Sequence, residues 1–302
     1  MPAHLSTEQR DLIYKQRNHK SLITDPVIAT LDGEEFTLKP IDRLNGLPKI
    51  KANLYAAMEI MTTKADWDNL PRLLQGLRHG GLRVNAPVMY SIARRAGKAG
   101  RQDVLLECAR QAEATGFRMN KDANVRSLIW WFQYMAVDSE FDAEMTKKAL
   151  AWSEQIFEMI ELPTHIGKGL KDGDLDPRVQ PKSVGILLEL AAVRALKHTD
   201  GKDVDGKVAK YAEKMSLTSL DFGVPEPNLE SIWVSEVLPA LYGMRVALKI
   251  LDPNSEVAKK LQAASDSLGK TVDGHLEEIP KLTKTGKTPK SLELYKIMSE
   301  SL

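Results

Sequence analysis

The sequence predicts an all-α fold, a solenoid of helix-turn-helix repeats with a small N-terminal β-hairpin extension. Three observations carry that prediction. Residues 50–120 contain the same sentence twice: Tyr55 is answered by Tyr90, Asp68 by Asp103, Leu70 by Leu105 and Gly81 by Gly116, always 35 positions on. The run Gly81-Leu82-Arg83-Val84-Asn85 is likewise answered by Gly116-Phe117-Arg118-Met119-Asn120. A fixed period of that size marks helical hairpins stacked one on the next. Second, Leu70, Leu73, Leu74 and Leu77 return as Leu105, Cys108, Ala109 and Ala112. That is the i, i+3, i+4, i+7 stripe of a helix with one buried face. Third, aromatics are only 6% of the chain while 43% is hydrophobic, with Ala, Leu, Met, Lys and Glu recurring. Such a composition favours helix over sheet and suffices for a continuous core.

The elements follow in order. Ser6-Thr7-Glu8-Gln9 reads as a capping box for a helix over about 7–18. Asp32-Gly33 joins two β-prone runs, Val27–Leu31 and Glu34–Leu38, which predicts a two-residue hairpin. Residues 39–50, with two prolines and a glycine, read as a linker. In the first repeat, helix A is expected over 51–63 and helix B over 68–79; in the second, over 87–98 and 103–115. Asp68 and Asp103 stand where each B helix needs an N-cap acceptor, and Gly81 and Gly116 where a left-handed C-cap needs glycine. Beyond residue 120 the period degrades into Val125–Val137, Asp142–Leu162, Val184–His198, Lys207–Leu217, Leu229–Leu251, Ser255–Leu268 and a short closing helix, Ser291–Ser299. Four segments result: an N-terminal extension (1–50), the clear repeats (51–165), degenerate helical hairpins (166–270), and a lysine-bearing loop with the C-terminal helix (271–302).

Net charge is +1, so charge arguments are local. From Asn69 to Gln102 there is no acid, yet the stretch holds Arg72, Arg78, Arg83, Arg94, Arg95, Lys98 and Arg101. Arginine forks suit phosphate, so this patch is a candidate nucleic-acid surface. The opposing reading pairs these cations with the acids of 138–161: Asp138, Glu140, Asp142, Glu144, Glu154, Glu158 and Glu161. Their position decides between the two: lining a groove with Tyr55 and Tyr90 favours RNA, and pairing with those acids favours a protein scaffold. Trp130 and Trp131, adjacent on a helix, point about 100° apart, so one is core and the other either core or an interface aromatic.

Enzyme and metal signatures are poor. The single cysteine, Cys108, excludes an internal disulfide framework and falls on an apolar stripe. The six histidines show no metal-binding spacing. Asp172, Asp174 and Asp176 alternate like a calcium loop, but Pro177 and Ser183 stand where the turn glycine and distal glutamate belong. Gly97-Lys98-Ala99-Gly100 lacks the spacing of a phosphate loop, and Asp221-Phe222-Gly223 has no other kinase element beside it. No catalytic residue, metal or cofactor is therefore expected. No apolar run approaches the roughly 20 residues that span a bilayer. Glu8 and Asp11 interrupt the basic face a mitochondrial presequence needs; either the chain has no cleaved signal or it begins after one.

The second sentence also resembles a known family. Met89-Tyr90-Ser91-Ile92, Lys98-Ala99-Gly100-Arg101, Asp103, Leu106-Glu107, Ala112 and Gly116-Phe117-Arg118-Met119-Asn120 resemble one pentatricopeptide repeat (PPR) of the organellar RNA-binding proteins. Residues 51–85 resemble the preceding repeat less closely, with Lys64-Ala65-Asp66 in place of the turn. The resemblance implies a PPR/TPR-like superhelix that binds single-stranded RNA in mitochondria or plastids. It also implies base contacts from Tyr55 with Asn85 and from Tyr90 with Asn120. Tyrosine departs from the small or amide residue usual there; it can stack on a base but does not choose one. The expectation is a non-catalytic protein of mitochondrial gene expression in the matrix, in the ribosome or an mRNA-maturation complex. Its partners would be RNA and the proteins of that assembly. The competing expectation is a scaffold or assembly factor of a respiratory complex without RNA contact.

Overall fold

The computed structural model describes residues 5–31, 33–42, 49–166, 176–226, 228–282 and 290–301. Its regular structure is helical apart from one two-stranded antiparallel sheet. The chain divides into two compact units, Met1–Ile60 with His79–Leu82, and Met61–Arg78 with Arg83–Leu302.

In the first unit, helix α1 (Thr7–Tyr14) opens on the expected capping box. Ser6 Oγ accepts from the Gln9 N–H at 3.1 Å, and Gln9 Oε1 accepts from the Ser6 N–H at 2.9 Å. The helix stops four residues short of the expected end, and a 3-10 turn (Gln16–Asn18) leads into α2 (His19–Thr24). Strands β1 (Ile28–Leu31) and β2 (Glu34–Thr37) form the expected hairpin, with Leu31 opposite Glu34 and Gly33 at φ +89°. Leu5, Leu22, Ala29 and Leu38 are its buried cluster. Helix α3 (Ile50–Ile60) buries Leu54 and Met58. Most of the predicted linker, 43–48, lies outside the described residues.

The second unit begins with α4 (Lys64–Asp68) and α5 (Leu70–His79), which replace the single helix expected over 68–79. Thr63 caps α4 through a capping box with Asp66, so Asp68 is not a cap. Helix α6 (Ala86–Lys98) starts at Asn85, whose Oδ1 accepts from the Val88 N–H at 3.3 Å. Then come α7 (Gln102–Arg110) and α8 (Ala112–Thr115). Asp103 lies inside the first turn of α7 and is not its cap either. Both aspartates instead bind Arg101. Its guanidinium donates to Asp68 Oδ1 at 2.5 Å, to Asp103 at 2.8 and 2.9 Å, and to the Lys64 carbonyl at 2.6 Å. Gly116 closes α8 in the left-handed region, φ +78°, as expected.

The remaining helices are α9 (Asp122–Asp138), α10 (Ala143–Met159), α11 (Pro163–Ile166), α12 (Pro181–His198), α13 (Lys207–Ser216), α14 (Glu230–Ala247), α15 (Glu256–Leu282) and α16 (Lys290–Ser301). Helix α15 runs through residues 269–282, where the sequence predicts a loop. The acids and lysines predicted at 172–174 and 284–287 lie outside the described residues.

Contacts follow chain order. Helices α6, α9, α12 and α14 touch in succession, and so do α7 with α10 and α13 with α15. Two glycines set how closely the first row packs. A Cβ on Gly97 would fall 2.2 Å from the Trp131 ring, and one on Gly185 would fall 2.4 Å from the Ala240 Cβ. Without side chains there, α6 admits the indole of α9 and α12 crosses α14 almost backbone to backbone. Met89, Ile92, Leu128, Phe132, Leu187 and Leu241 fill the core between these helices.

Candidate nucleic-acid interface

Helix α6 buries Val88, Met89, Ile92, Ala93 and Ala96, so its 3.6-residue period throws Tyr90, Arg94 and Lys98 onto the opposite, exposed face. Tyr90 is 51% exposed. These three side chains edge a groove of about 510 Å³ with contributions from α9, α12 and α14. Trp131 is core, at 4% exposure, whereas Trp130 is half-buried, lines the groove, and donates its indole N–H to the Ser235 carbonyl at 3.0 Å.

The groove floor carries its own ion chain. Arg126 Nε lies 2.7 Å from Asp122 and its Nη1 2.8 Å from Glu236; Lys182 Nζ reaches the same Glu236 oxygen at 3.2 Å. Asp122 also accepts from Ser183 Oγ at 2.8 Å. Two cations and two carboxylates cancel, so the net positive charge of the groove comes from Arg94 and Lys98. Neither makes a side-chain hydrogen bond or ion pair among the described residues.

The other sequence candidates fall into distinct settings. Arg72 and Arg83 are exposed and Arg78 is half-buried, all outside the groove lining. Arg95 is half-buried and donates to the Ser91 carbonyl at 3.4 Å. Arg101 is 8% exposed and occupied by the two aspartates, which raise its pKa further; its role is to join α4 to the α6–α7 turn. Asn85 is spent on capping α6, and the Oδ1 of Asn120 accepts from Asn124 Nδ2 at 3.1 Å. Tyr55 is half-buried on α3 of the other unit.

Three of the acids of 138–161 engage partners other than the α6 cations. Glu154 takes Lys207 Nζ and the Tyr211 hydroxyl, both at 2.6 Å, and Glu161 takes Arg178 at 2.9 Å. Asp142 caps α10. Sequence reasoning missed Arg126, Lys182 and Glu236. The one signal was in α9, where Arg126, Ser127 and Trp130 interrupt an otherwise apolar run at helical spacing.

Two buried titratable side chains outside the groove, Cys108 and His165, are packed into the core. Cys108 is fully buried, and burial pushes its thiol up, away from the nucleophilic thiolate. Burial, and then Arg118, lowers the pKa of His165, whose Nδ1 accepts from the Met119 N–H at 3.1 Å. Among the described residues no group of His, Cys, Asp and Glu is placed to hold a metal, and no helix is long and apolar enough to cross a membrane.

The class the fold defines is a helical protein with one small N-terminal hairpin, and its second unit carries a cationic, aromatic-edged groove. The chain belongs to the mitochondrial ribosomal protein mS27 family, which it matches over residues 1–297. The small ribosomal subunit protein mS27 of Neurospora crassa is 29% identical over 231 residues, covering 71% of this chain and 58% of that protein. The chain thus spans little more than half the length of this relative.

Proposed function

We propose that this chain is a non-catalytic structural component of the small subunit of the mitochondrial ribosome, working in the matrix. It contacts ribosomal RNA through the exposed face of α6 and holds neighbouring ribosomal proteins with other surfaces. Family membership supports the first statement. One observation carries the second: Tyr90, Arg94 and Lys98 stand in line on one helix face, the two cations without internal partners. Successive side chains in that line are about 6 Å apart along the axis. Such a row tracks a phosphate backbone and fixes position without choosing sequence.

The same reading takes α6–α7, α9–α10, α12–α13 and α14–α15 as successive hairpins of a PPR-like solenoid, clear over 51–120 and degenerate beyond. The order of contacts, first helix to first helix and second to second, supports it. It keeps 1–50 as an extension, 51–165 and 166–270 as repeat regions, and 271–302 as a basic C-terminal segment. Arg72, Arg78 and Arg83 extend the basic surface; Tyr55, in the other unit, is a separate candidate aromatic contact. Arg95 and Arg101 support it from inside. Asn85 and Asn120 serve the fold, so shape and phosphate, rather than a base code, govern binding. A protein-only scaffold for a respiratory complex is disfavoured, because Glu154 and Glu161 hold Lys207 and Arg178 and leave the α6 cations unclaimed.

The test is the double substitution Arg94→Glu with Lys98→Glu, both exposed and outside the core. Small-subunit association on sucrose gradients and RNA crosslinking should both fall. Without Lys98 or Arg94, the slope of log affinity against log salt should lessen by roughly 0.7–0.9 per lost phosphate contact. Unchanged crosslinking and an unchanged slope would overturn RNA contact at this face.

A further inference from the structure

The groove beside α6 is more than a basic strip, because its lining mixes charge and apolar surface. Arg94 and Lys98 have no side-chain partners among the described residues. Glu236 lines the same groove; Arg126 and Lys182 both bind its Oε2, while Oε1 has no partner among the described residues. The lining also holds apolar side chains, Pro87, Ile186 and the half-exposed Ile232, with the exposed Tyr90 ring.

We infer that this groove holds one unpaired RNA nucleotide whose base carries an exocyclic amine. This rests on the reading of the α6 face as RNA-contacting. The phosphate sits at Arg94 and Lys98, the base stacks on Tyr90 over the apolar floor, and the amine donates to Glu236 Oε1. Each part matches the chemistry of the residues assigned to it. Cations meet the phosphate, an aromatic and alkyl surface meets the π-face, and a carboxylate accepts from an amino edge. Uracil presents a carbonyl where cytosine and adenine present the amine, so a carboxylate repels it. A base kept in a duplex cannot enter, because its edge is already paired and its faces are stacked. The volume of about 510 Å³ lies within the range of sites that enclose a small ligand. An acidic peptide would satisfy the cations but bring no flat ring to stack on Tyr90 and no amine for Glu236 Oε1.

The full chain is titrated with short fluorescent oligocytidylate, oligoadenylate and oligouridylate, read by anisotropy at fixed salt. Cytosine and adenine oligomers should bind roughly ten-fold tighter than uridine oligomers. Glu236→Gln should erase that preference. Because Glu236 also holds Arg126 and Lys182, a second variant is needed. Ile232→Trp, at an exposed position, fills the groove and should weaken all three oligomers roughly ten-fold, the scale of one lost stack. Equal binding of the three oligomers, or an Ile232→Trp variant that binds like the parent, overturns the nucleotide site. If that happens while Arg94→Glu with Lys98→Glu still abolishes binding, the phosphate-contacting face stands and only the base pocket falls. If the double charge reversal also binds normally, both readings fall.

Discussion

Replacing Glu189 with glutamine should stabilise the protein at neutral pH and remove a pH dependence. Glu189 sits in the middle of α12, fully buried, with both carboxylate oxygens lacking a hydrogen-bond partner. Its backbone is pressed by α14, where a Cβ on Gly243 would fall 2.8 Å from the Glu189 nitrogen. Burial drives the acid well above its usual value of 4.5, and the nearby Gln133 amide opposes the shift only partly. The folded chain therefore keeps a proton that the unfolded chain sheds once pH passes 4.5. From there upward, stability falls by about 1.4 kcal/mol per pH unit until the folded acid itself ionises. Even one pH unit of that loss is a noticeable share of a typical domain's margin. The amide of Glu189→Gln copies the shape of the protonated acid and does not titrate. The two proteins should be nearly equal near pH 4.5 and diverge steadily above it, the variant being the more stable. Urea unfolding followed by far-ultraviolet circular dichroism, at unit pH steps, measures the gap. A gap that stays constant with pH, or one that closes as pH rises, refutes a buried protonated acid at this position.

Two further outcomes follow from the packing. Gly185→Ala places a methyl 2.4 Å from the Ala240 Cβ and 2.6 Å from its Cα, so α12 and α14 must separate. Overpacking of this kind costs about 1–3 kcal/mol, and a melting temperature equal to the parent's would refute the close crossing. Arg101→Met removes the cation shared by Asp68 and Asp103, whose side chains are themselves half-exposed. Since solvent screens the two carboxylates, the cost should be about 1–3 kcal/mol, below that of a fully buried pair. It should shrink as salt rises, and a salt-independent loss in urea titrations would assign Arg101 a packing role alone.

Local chemistry was readable wherever it is carried by near neighbours. Ser6 with Gln9, Gly33 and Gly116 each do in the structure what their spacing predicts: a capping box, a hairpin turn and a left-handed helix end. The repeat misled at Asp68 and Asp103. Period-matching gave them the cap role, although Thr63 and Asp66 already spell a capping box five residues earlier. The long α15 (Glu256–Leu282) exceeds the expected Ser255–Leu268 and takes in Gly269 and Gly274. Gly269 is a contact glycine, where a Cβ would lie 2.7 Å from Arg245 Nη2. In the candidate interface the stripe Tyr90, Arg94, Lys98 was visible as charge without acid. Glu236 and Lys182 were not, because pairings over 54 and 110 positions leave no periodic trace.

The shared guanidinium of Arg101 has a consequence for the 35-residue sentence itself. Its two aspartates are spelled once per copy, but the cation that answers both lies inside the second copy, at the turn between α6 and α7. Neither copy is therefore a self-sufficient module. Cutting out one period, or shuffling it elsewhere in the chain, would orphan a carboxylate or leave Arg101 half-clamped. The two copies should then tolerate exchange only as a pair, with Asp68, Arg101 and Asp103 moved together.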